Sequence, residues 1–282
     1  MGTSRNNMSS LRTVRTFMKK GTCSETCFCV LNRAFEEPLS REEEASALLA
    51  GGVMQHGYQC GLVWGAALAA GAQAYKQHGA GPQAETRAVI ASQKIVTSFQ
   101  ALNKNRVNCH DITHIDKSSS TLKMVFYFLL MGGTIGCFRR AARYAPAALY
   151  EINDTLTGDD VETPSGPVSC AAEVAKKMGA SAVHATMAAG LAGGIGLSGG
   201  GCGALGAAIW LAALKTLENQ EGKIEFNHPE ANAIVERFLK CTDFEFECEK
   251  ILGRKFENVA DHAQHLCNGG CAKLIEVLAA KE

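Results

Sequence analysis

Cysteine is the residue type with which this sequence could do chemistry, because eight of its twelve cysteines form two ordered sets of four. One set lies in each half of the chain, in the same order. Thiolates are soft metal ligands and redox-capable nucleophiles. A duplicated set of four thiols therefore predicts redox or metal chemistry. The first set is Cys23, Cys60, Cys109 and Cys137, and the second is Cys170, Cys202, Cys248 and Cys267.

The second cysteine of each set marks an internal repeat. Cys60 and Cys202 are each followed by glycine and an apolar run rich in alanine and glycine, and a Gly-Gly pair precedes each at the same distance. A shift of 142 residues, the separation of these two cysteines, superposes the pattern. The sequence predicts repeats over 1–155 and 156–282, an insertion over 113–136 and a polar linker over 155–167.

Helices are the elements that must position these thiols. The sequence is rich in alanine, has only six prolines and shows no sustained alternation of apolar and polar residues. We predict an all-α fold in which each half is a bundle of four or five helices, with one cysteine of each set on each of four helices. The predicted helices cover 42–50, 61–75, 85–102, 171–178, 203–217 and 229–239.

Cys60 and Cys202 lie where a glycine-rich turn precedes a predicted buried helix. The partial positive charge and free N–H groups of a helix N-terminus lower the pKa of a thiol there. Such a site suits a reactive thiolate and a metal-bound thiolate equally. Four cysteines have no partner in the repeat, and we predict Cys27 and Cys29 to be core residues on one helix, while Cys241 and Cys271 stay open. Cys271 forms a loop-borne pair with Cys267 that could make a disulfide or bind metal, so it joins the candidate ligands.

Charge and hydropathy exclude several classes of protein. The formal net charge is zero, so the sequence has no nucleic-acid footprint. No apolar leader is visible at the N-terminus, which favours a reducing compartment, the cytoplasm, over a secreted disulfide scaffold. Two uncharged stretches, 45–75 and 185–214, are long enough to span a membrane. Glycine clusters interrupt the apolar character, so we predict buried helices and no membrane span.

These cysteines and their neighbours resemble a known family. Cys202-Gly-Ala-Leu-Gly in the second half, the looser Cys60-Gly-Leu-Val-Trp-Gly in the first and the opening Cys23-Ser-Glu are similar to the redox-active proteins named for their C-GCAxxG-C-C pattern. Members carry one copy, so this chain resembles a tandem fusion of two. The family is itself similar to the non-haem part of split-Soret cytochromes. The resemblance implies an all-helical fold, a redox role and a cysteine-held iron–sulfur centre. The looser motif makes the first repeat the candidate for a degenerate copy.

Three hypotheses follow. In the first, each set of four cysteines holds an iron–sulfur cluster of the two-iron type, up to two per chain, and passes electrons to an unidentified partner protein. In the second, the chain is an oxidoreductase in which Cys60 or Cys202 attacks a disulfide without metal. In the third, the sets hold structural zinc. A homodimer is compatible with each of them.

Overall fold

The computed structural model describes residues 9–130, 132–219 and 224–280, and every regular element in these ranges is helical. Two isolated β-bridges are the only sheet-like pairs among the described residues. The predicted all-α fold of two tandem helical repeats is confirmed. The first repeat contains α1 (Ser10–Lys20), α2 (Cys23–Ala34), α3 (Ser40–Ala45), a 3-10 turn (Ser46–Leu49), α4 (Gly61–His78), α5 (Pro82–Leu102), α6 (Cys109–Thr113), α7 (Thr121–Val125), a π-helical turn (Phe126–Leu130) and α8 (Gly133–Thr157).

The second repeat follows the same order with fewer elements. Its short helix α13 (Cys248–Leu252) corresponds to α6, and both were missing from the sequence prediction because five residues are too few to show a helical period. The predicted helix over 42–50 is divided into α3 and the 3-10 turn. The helices are α9 (Cys170–Lys177), α10 (Ala182–Ala189), α11 (Gly203–Asn219), α12 (Pro229–Cys241), α13 (Cys248–Leu252), α14 (Val259–Cys267) and α15 (Ala272–Ala279).

The central helices α4 and α11 are apolar on all sides because both repeats pack around them. Helix α4 contacts α2 and α5 of its own repeat and α10 of the other, while α11 contacts α9, α12 and α3. Small residues allow the close approach: a Cβ at Gly71 of α4 would meet the backbone of Met187 in α10. The large side chains of Trp64 and Trp210 are fully buried in this shared core. In the described part of the chain, no helix combines the length and hydropathy that crossing a membrane requires.

Contacts between equivalent positions show how the repeats are arranged. Three contacts join residues 142 positions apart, which is the offset of the duplication, and contacts of this kind are characteristic of a two-fold axis. They are Glu42 Oε1 with His184 Nε2 (3.2 Å), Gln59 Oε1 with the Gly201 N–H (2.7 Å), and the Trp64 ring over the Cα of Gly206. The partners are complementary rather than identical, so the repeats are related by a pseudo-two-fold axis.

Candidate functional site

Each cysteine set is organised around a left-handed turn that precedes the second cysteine. All five residues of 51–55 have φ between 47° and 76°, and all five of 193–197 have φ between 56° and 78°. The left-handed conformation costs roughly 1–2 kcal/mol for each residue other than glycine, so a repeated turn of this kind indicates a constrained purpose. Gly52 and Gly194 are required here, because a Cβ would meet the backbone of the residue six positions later.

These turns direct backbone N–H groups at the first cysteine of each set. Cys23 is the first residue of α2, and its sulfur accepts hydrogen bonds from the N–H groups of Gly51 and Ser24. Cys170, at the start of α9, receives the N–H groups of Gly193 and Ala171 in the same way. The Gly-Gly pair was the visible signal of the turn in the sequence, but its handedness was not predictable from the pattern.

An isolated antiparallel bridge holds the second and third cysteines of each set side by side. The bridges pair the residues directly before these cysteines, Gln59 with Asn108 and Gly201 with Glu247. Backbone hydrogen bonds flank each bridge: Cys60 N–H to Val107 O (2.8 Å), Cys109 N–H to Tyr58 O (2.7 Å), Cys202 N–H to Phe246 O (2.8 Å) and Cys248 N–H to Gly200 O (2.7 Å). Cysteines far apart in sequence therefore become neighbours in both repeats.

In the first repeat, Cys23 and Cys60 form a hydrogen-bonded pair of sulfurs. The Cys60 thiol donates to Cys23, and this bond, helped by the backbone N–H groups and opposed by burial, lowers the Cys23 pKa from 9.0 to about 7. The same bond and burial raise the Cys60 pKa well above 9.0. Burial, together with the charge of Cys23, raises the pKa of Cys109 to about 12 and that of Cys137 to about 11. Cys23 is thus the one of the four thiols with a pKa near neutral pH, while the pKa of each of the other three is raised.

Gly61 makes this sulfur pair possible. It follows Cys60, the N-cap residue of α4, and a Cβ at Gly61 would lie 2.5 Å from the Cys23 sulfur. Gly65, one turn later, lies against the carbonyl of Ser24 in α2. The two glycines of the first motif therefore let α2 approach the N-terminus of α4.

The second set contains Cys271 rather than Cys267. Cys271 lies at the N-cap of α15, which packs on α9, and burial and the charges of Cys170 and Cys202 raise its pKa. Cys267 ends α14, is exposed, and has its sulfur 4.0 Å from the Ser165 carbonyl. The sequence pattern gave Cys267 as the cysteine before the last helix. A four-residue turn separates Cys267 from that helix, and only Cys271 packs against the core.

The second set is more buried and less ionised than the first. Burial raises the pKa of Cys170 in spite of its backbone donors, and no thiol hydrogen bond from Cys202 contributes there. The Cys202 pKa rises to about 12 through burial and the charge of Cys170. Burial likewise raises the pKa of Cys248. His265 lies beside this set, with its Nε2 at 3.7 Å from the Cys271 sulfur.

A pocket of about 490 Å³ opens directly on the first set, and Cys23, Cys109 and Cys137 line it. Cys60 is 8% exposed and does not contribute to the lining. The first set is therefore accessible to a small molecule on the side of the ionised thiol. The insertion over 113–136 supplies part of the wall, including Ile115 and Phe128.

The remaining cysteines lie apart from the two sets, and all twelve are free thiols. Cys27 and Cys29 are buried in α2, and burial is the main cause of the raised pKa of each. Cys241 is partly buried at the C-terminal end of α12. Among the described residues, no three Cys, His, Asp or Glu side chains are gathered closely enough to hold one metal ion.

A comparison with protein families gives two matches along the chain. The model described as "Putative redox-active protein (C_GCAxxG_C_C)" matches residues 22–126 and 168–281. The first match includes Cys23, Cys60 and Cys109 and ends before Cys137, while the second includes both Cys267 and Cys271. Comparisons with curated proteins and with solved structures give no match.

Proposed function

The chain belongs to this C_GCAxxG_C_C family of redox-active proteins, and from that premise we propose that it performs thiol–disulfide exchange through Cys23 and Cys60. The close approach of the two cysteines carries this proposal, because Cys60 directly precedes Gly61 and a Cβ at Gly61 would lie 2.5 Å from the Cys23 sulfur. A reactive dithiol needs one thiolate to attack and a second thiol within bonding reach to resolve the mixed disulfide. Cys23 and Cys60 meet both conditions.

The roles of the two cysteines follow from their surroundings. Cys23 lines the pocket and is the thiolate near neutral pH, so it is the attacking group. Cys60 lies outside the lining, where an external disulfide does not reach it, so it is the resolving group. This order differs from the sequence hypothesis, in which Cys60 or Cys202 was the attacking thiol.

The exchange balances in two steps. The Cys23 thiolate attacks one sulfur of a disulfide R–S–S–R, forms a Cys23–S–S–R bond and releases RS⁻, which takes a proton from water. The Cys60 thiol then loses its proton, attacks the Cys23 sulfur and releases the second RS⁻. Two electrons pass from the protein to the substrate, and an external dithiol restores both thiols. The first step removes the negative charge of Cys23, which is one of the causes of the raised Cys60 pKa.

The test is equilibration of the chain with mixtures of oxidised and reduced dithiothreitol under argon, followed by acid quenching, alkylation and peptide mass spectrometry. We expect a Cys23–Cys60 disulfide that forms and disappears reversibly with the ratio of the two reagents. Cys60→Ser, equilibrated with oxidised and reduced glutathione because a dithiothreitol mixed disulfide would close back to the cyclic reagent, should accumulate a mixed disulfide at Cys23. Cys202→Ser, the same change at the equivalent position, should leave the Cys23–Cys60 disulfide intact. Absence of this disulfide at every ratio would refute the proposal.

Electron transfer through iron–sulfur clusters is the second candidate, and the repeated gathering of thiols favours it. Each set offers four cysteines, with backbone N–H groups directed at the first, and hydrogen bonds to sulfur tune the potential of such clusters. A two-iron cluster needs only two thiolates at each iron, so it does not require three donors around one point. The residues that would hold it are Cys23, Cys60, Cys109 and Cys137, and Cys170, Cys202, Cys248 and Cys271. When bound, a cluster would supply one-electron transfer.

Iron and sulfide analysis of the chain purified without oxygen tests this candidate. Two irons and two sulfides per set, with visible absorbance that falls by about half in Cys23→Ser because only the first of two clusters is lost, would support it, and a colourless protein free of iron would refute it. Structural zinc is supported less well. Zinc needs four donors around a single point at about 2.3 Å from sulfur, and the described residues do not gather even three in that way.

A further inference from the structure

We propose that the pocket in front of Cys23 binds an uncharged, largely apolar disulfide, which is the substrate class of the exchange reaction proposed above and rests on it. The pocket has a volume of about 490 Å³, within the usual range for small-molecule sites. Three thiols lie in its wall, and among them Cys23 is the one that receives the Cys60 thiol, which completes the exchange.

Apolar side chains from four parts of the chain form most of the wall. Helix α1, helix α8, the insertion and the segment before α12 each contribute aromatic or aliphatic groups. Burying an apolar ligand against such a surface is favourable in proportion to the area removed from water. The apolar lining includes Phe17, Met18, Ile115, Phe128, Phe138 and Phe226.

The charges at the pocket disfavour an anionic substrate. Among the described residues that line the pocket, Asp116 is the one charged side chain, and none of them is Lys, Arg or His. Asp116 is already bound to His110 Nδ1 at 2.8 Å and to the Ser118 hydroxyl. Arg140 acts electrostatically on the Cys137 thiol from outside the lining. A carboxylate entering this space would lose water and meet two negative groups, Asp116 and the Cys23 thiolate, without a cation among the described lining residues to pair with.

Two aromatic disulfides of similar size differ in charge, so a comparison of their reaction rates tests the effect of charge apart from that of shape. The first, 4,4′-dithiodipyridine, is uncharged near neutral pH, and the second, 5,5′-dithiobis(2-nitrobenzoate), carries two carboxylates. The loss of the free Cys23 thiol is followed by quenched peptide mass spectrometry, and each rate is divided by the rate of the same reagent with 2-mercaptoethanol. We expect the normalised rate to be at least about tenfold higher for the uncharged reagent, which corresponds to about 1.4 kcal/mol.

A charge at the rim provides a matched pair of variants. Met18 lines the pocket and is 62% exposed, so Met18→Lys adds a cation there without removing buried packing. Leu11 lies on the same helix, is 69% exposed and is not part of the lining. Met18→Lys should reduce the preference for the uncharged reagent at least about threefold, and Leu11→Lys should leave it unchanged. Unfolding midpoints equal to that of the parent chain would show that both variants are folded.

The possible failures are distinguishable. Normalised rates that agree within twofold, or an unchanged preference in Met18→Lys, would overturn the assignment of the pocket, while a Cys23–Cys60 disulfide formed by both reagents would leave the exchange reaction standing. If Cys23 is consumed and no Cys23–Cys60 disulfide forms, the proposed exchange reaction is refuted, and so is the proposal that the pocket binds its substrate.

Discussion

The two repeats share one backbone design and differ in the chemistry it produces. Both have a left-handed turn before the second cysteine and an isolated bridge that joins the second and third. In the first repeat, a thiol donates to Cys23 and a pocket exposes it. In the second, Cys170 is buried and has backbone donors alone. The comparison shows that a duplicated geometry does not fix thiol reactivity, because ionisation depends on the groups added around the sulfur.

The looser motif of the first repeat, which made it the candidate for a degenerate copy, has a structural cause. This motif departs from the pattern because of packing at the pseudo-two-fold axis. Trp64 occupies the position equivalent to Gly206 of the second repeat, and its ring packs against that glycine. The glycine of the first motif is therefore the next residue, Gly65, which lies against Ser24. The looser motif therefore reflects the contact between the repeats, and the ionised thiol lies in the repeat that carries it.

The largest effect is expected at the axis itself, where Gln59 completes the hydrogen bonding of the second repeat. Its buried amide donates to Gly194 O (2.8 Å) and accepts from the Gly201 N–H (2.7 Å). Gln59→Ala leaves the Gly201 N–H without its acceptor and opens a cavity, so we expect the free energy of unfolding to fall by about 2–3 kcal/mol. Urea unfolding measures this free energy. Gln83→Ala, at an exposed site in α5, should change it by less than about 0.5 kcal/mol. A loss below about 1 kcal/mol for Gln59→Ala would mean that the repeats hold together without this link.

A pH profile of alkylation should separate the two first cysteines. Thiolates react and thiols do not. With a pKa of about 7, the rate at Cys23 should rise about tenfold between pH 6 and 8 and then level off. The pKa of Cys170 is raised above 9.0, so its rate should climb from pH 6 to 9 without a plateau. Iodoacetamide labelling with peptide mass spectrometry gives both curves from one sample.

Removal of the thiol donor sharpens the same comparison. Cys60→Ala should move the midpoint of the alkylation pH profile of Cys23 upward, towards 9.0, because the hydrogen bond that chiefly lowers the pKa of Cys23 is lost. Cys202→Ala, the equivalent change, removes no hydrogen bond from Cys170 and should leave its curve in place. Identical curves for Cys23 and Cys170 in the parent chain would show that the repeats are chemically equivalent.

The smallest effect is expected at the rim of the axis, where Glu42 pairs with His184 at 3.2 Å. The hydrogen bond from His184 lowers the pKa of Glu42 below its ordinary value of 4.5, so the pair stabilises the fold above that value and less as the pH falls through the lowered pKa. Glu42→Gln should cost less than about 1 kcal/mol at pH 7, since both groups are partly exposed. The difference from the parent chain, measured by urea unfolding, should shrink below pH 4.5. A difference that grows on acidification would contradict this account of the pair.

The sequence predicted the helices well because their causes are local. Alanine-rich, proline-poor runs predict α4, α5, α11 and α12, and the helix starts near Gly61 and Gly203 follow from the glycine turns. Helices α6 and α13 were missed, since five residues carry too little pattern. The sequence kept both Cys267 and Cys271 as candidate ligands, since two cysteines four positions apart fit the same spacing rule, and in the structure only Cys271 packs against the core.

The amino-acid sequence by itself determined the duplication, the helical fold and the presence of four thiols in each half, because offset, composition and residue type are properties of the chain. Tertiary structure decided which thiols meet and which one ionises. Backbone hydrogen bonds between distant segments bring Cys60 to Cys109, and a left-handed turn presents the Gly51 N–H to Cys23. A thiol pKa reflects burial and hydrogen-bond donors in three dimensions, and none of these is encoded at a fixed distance along the chain.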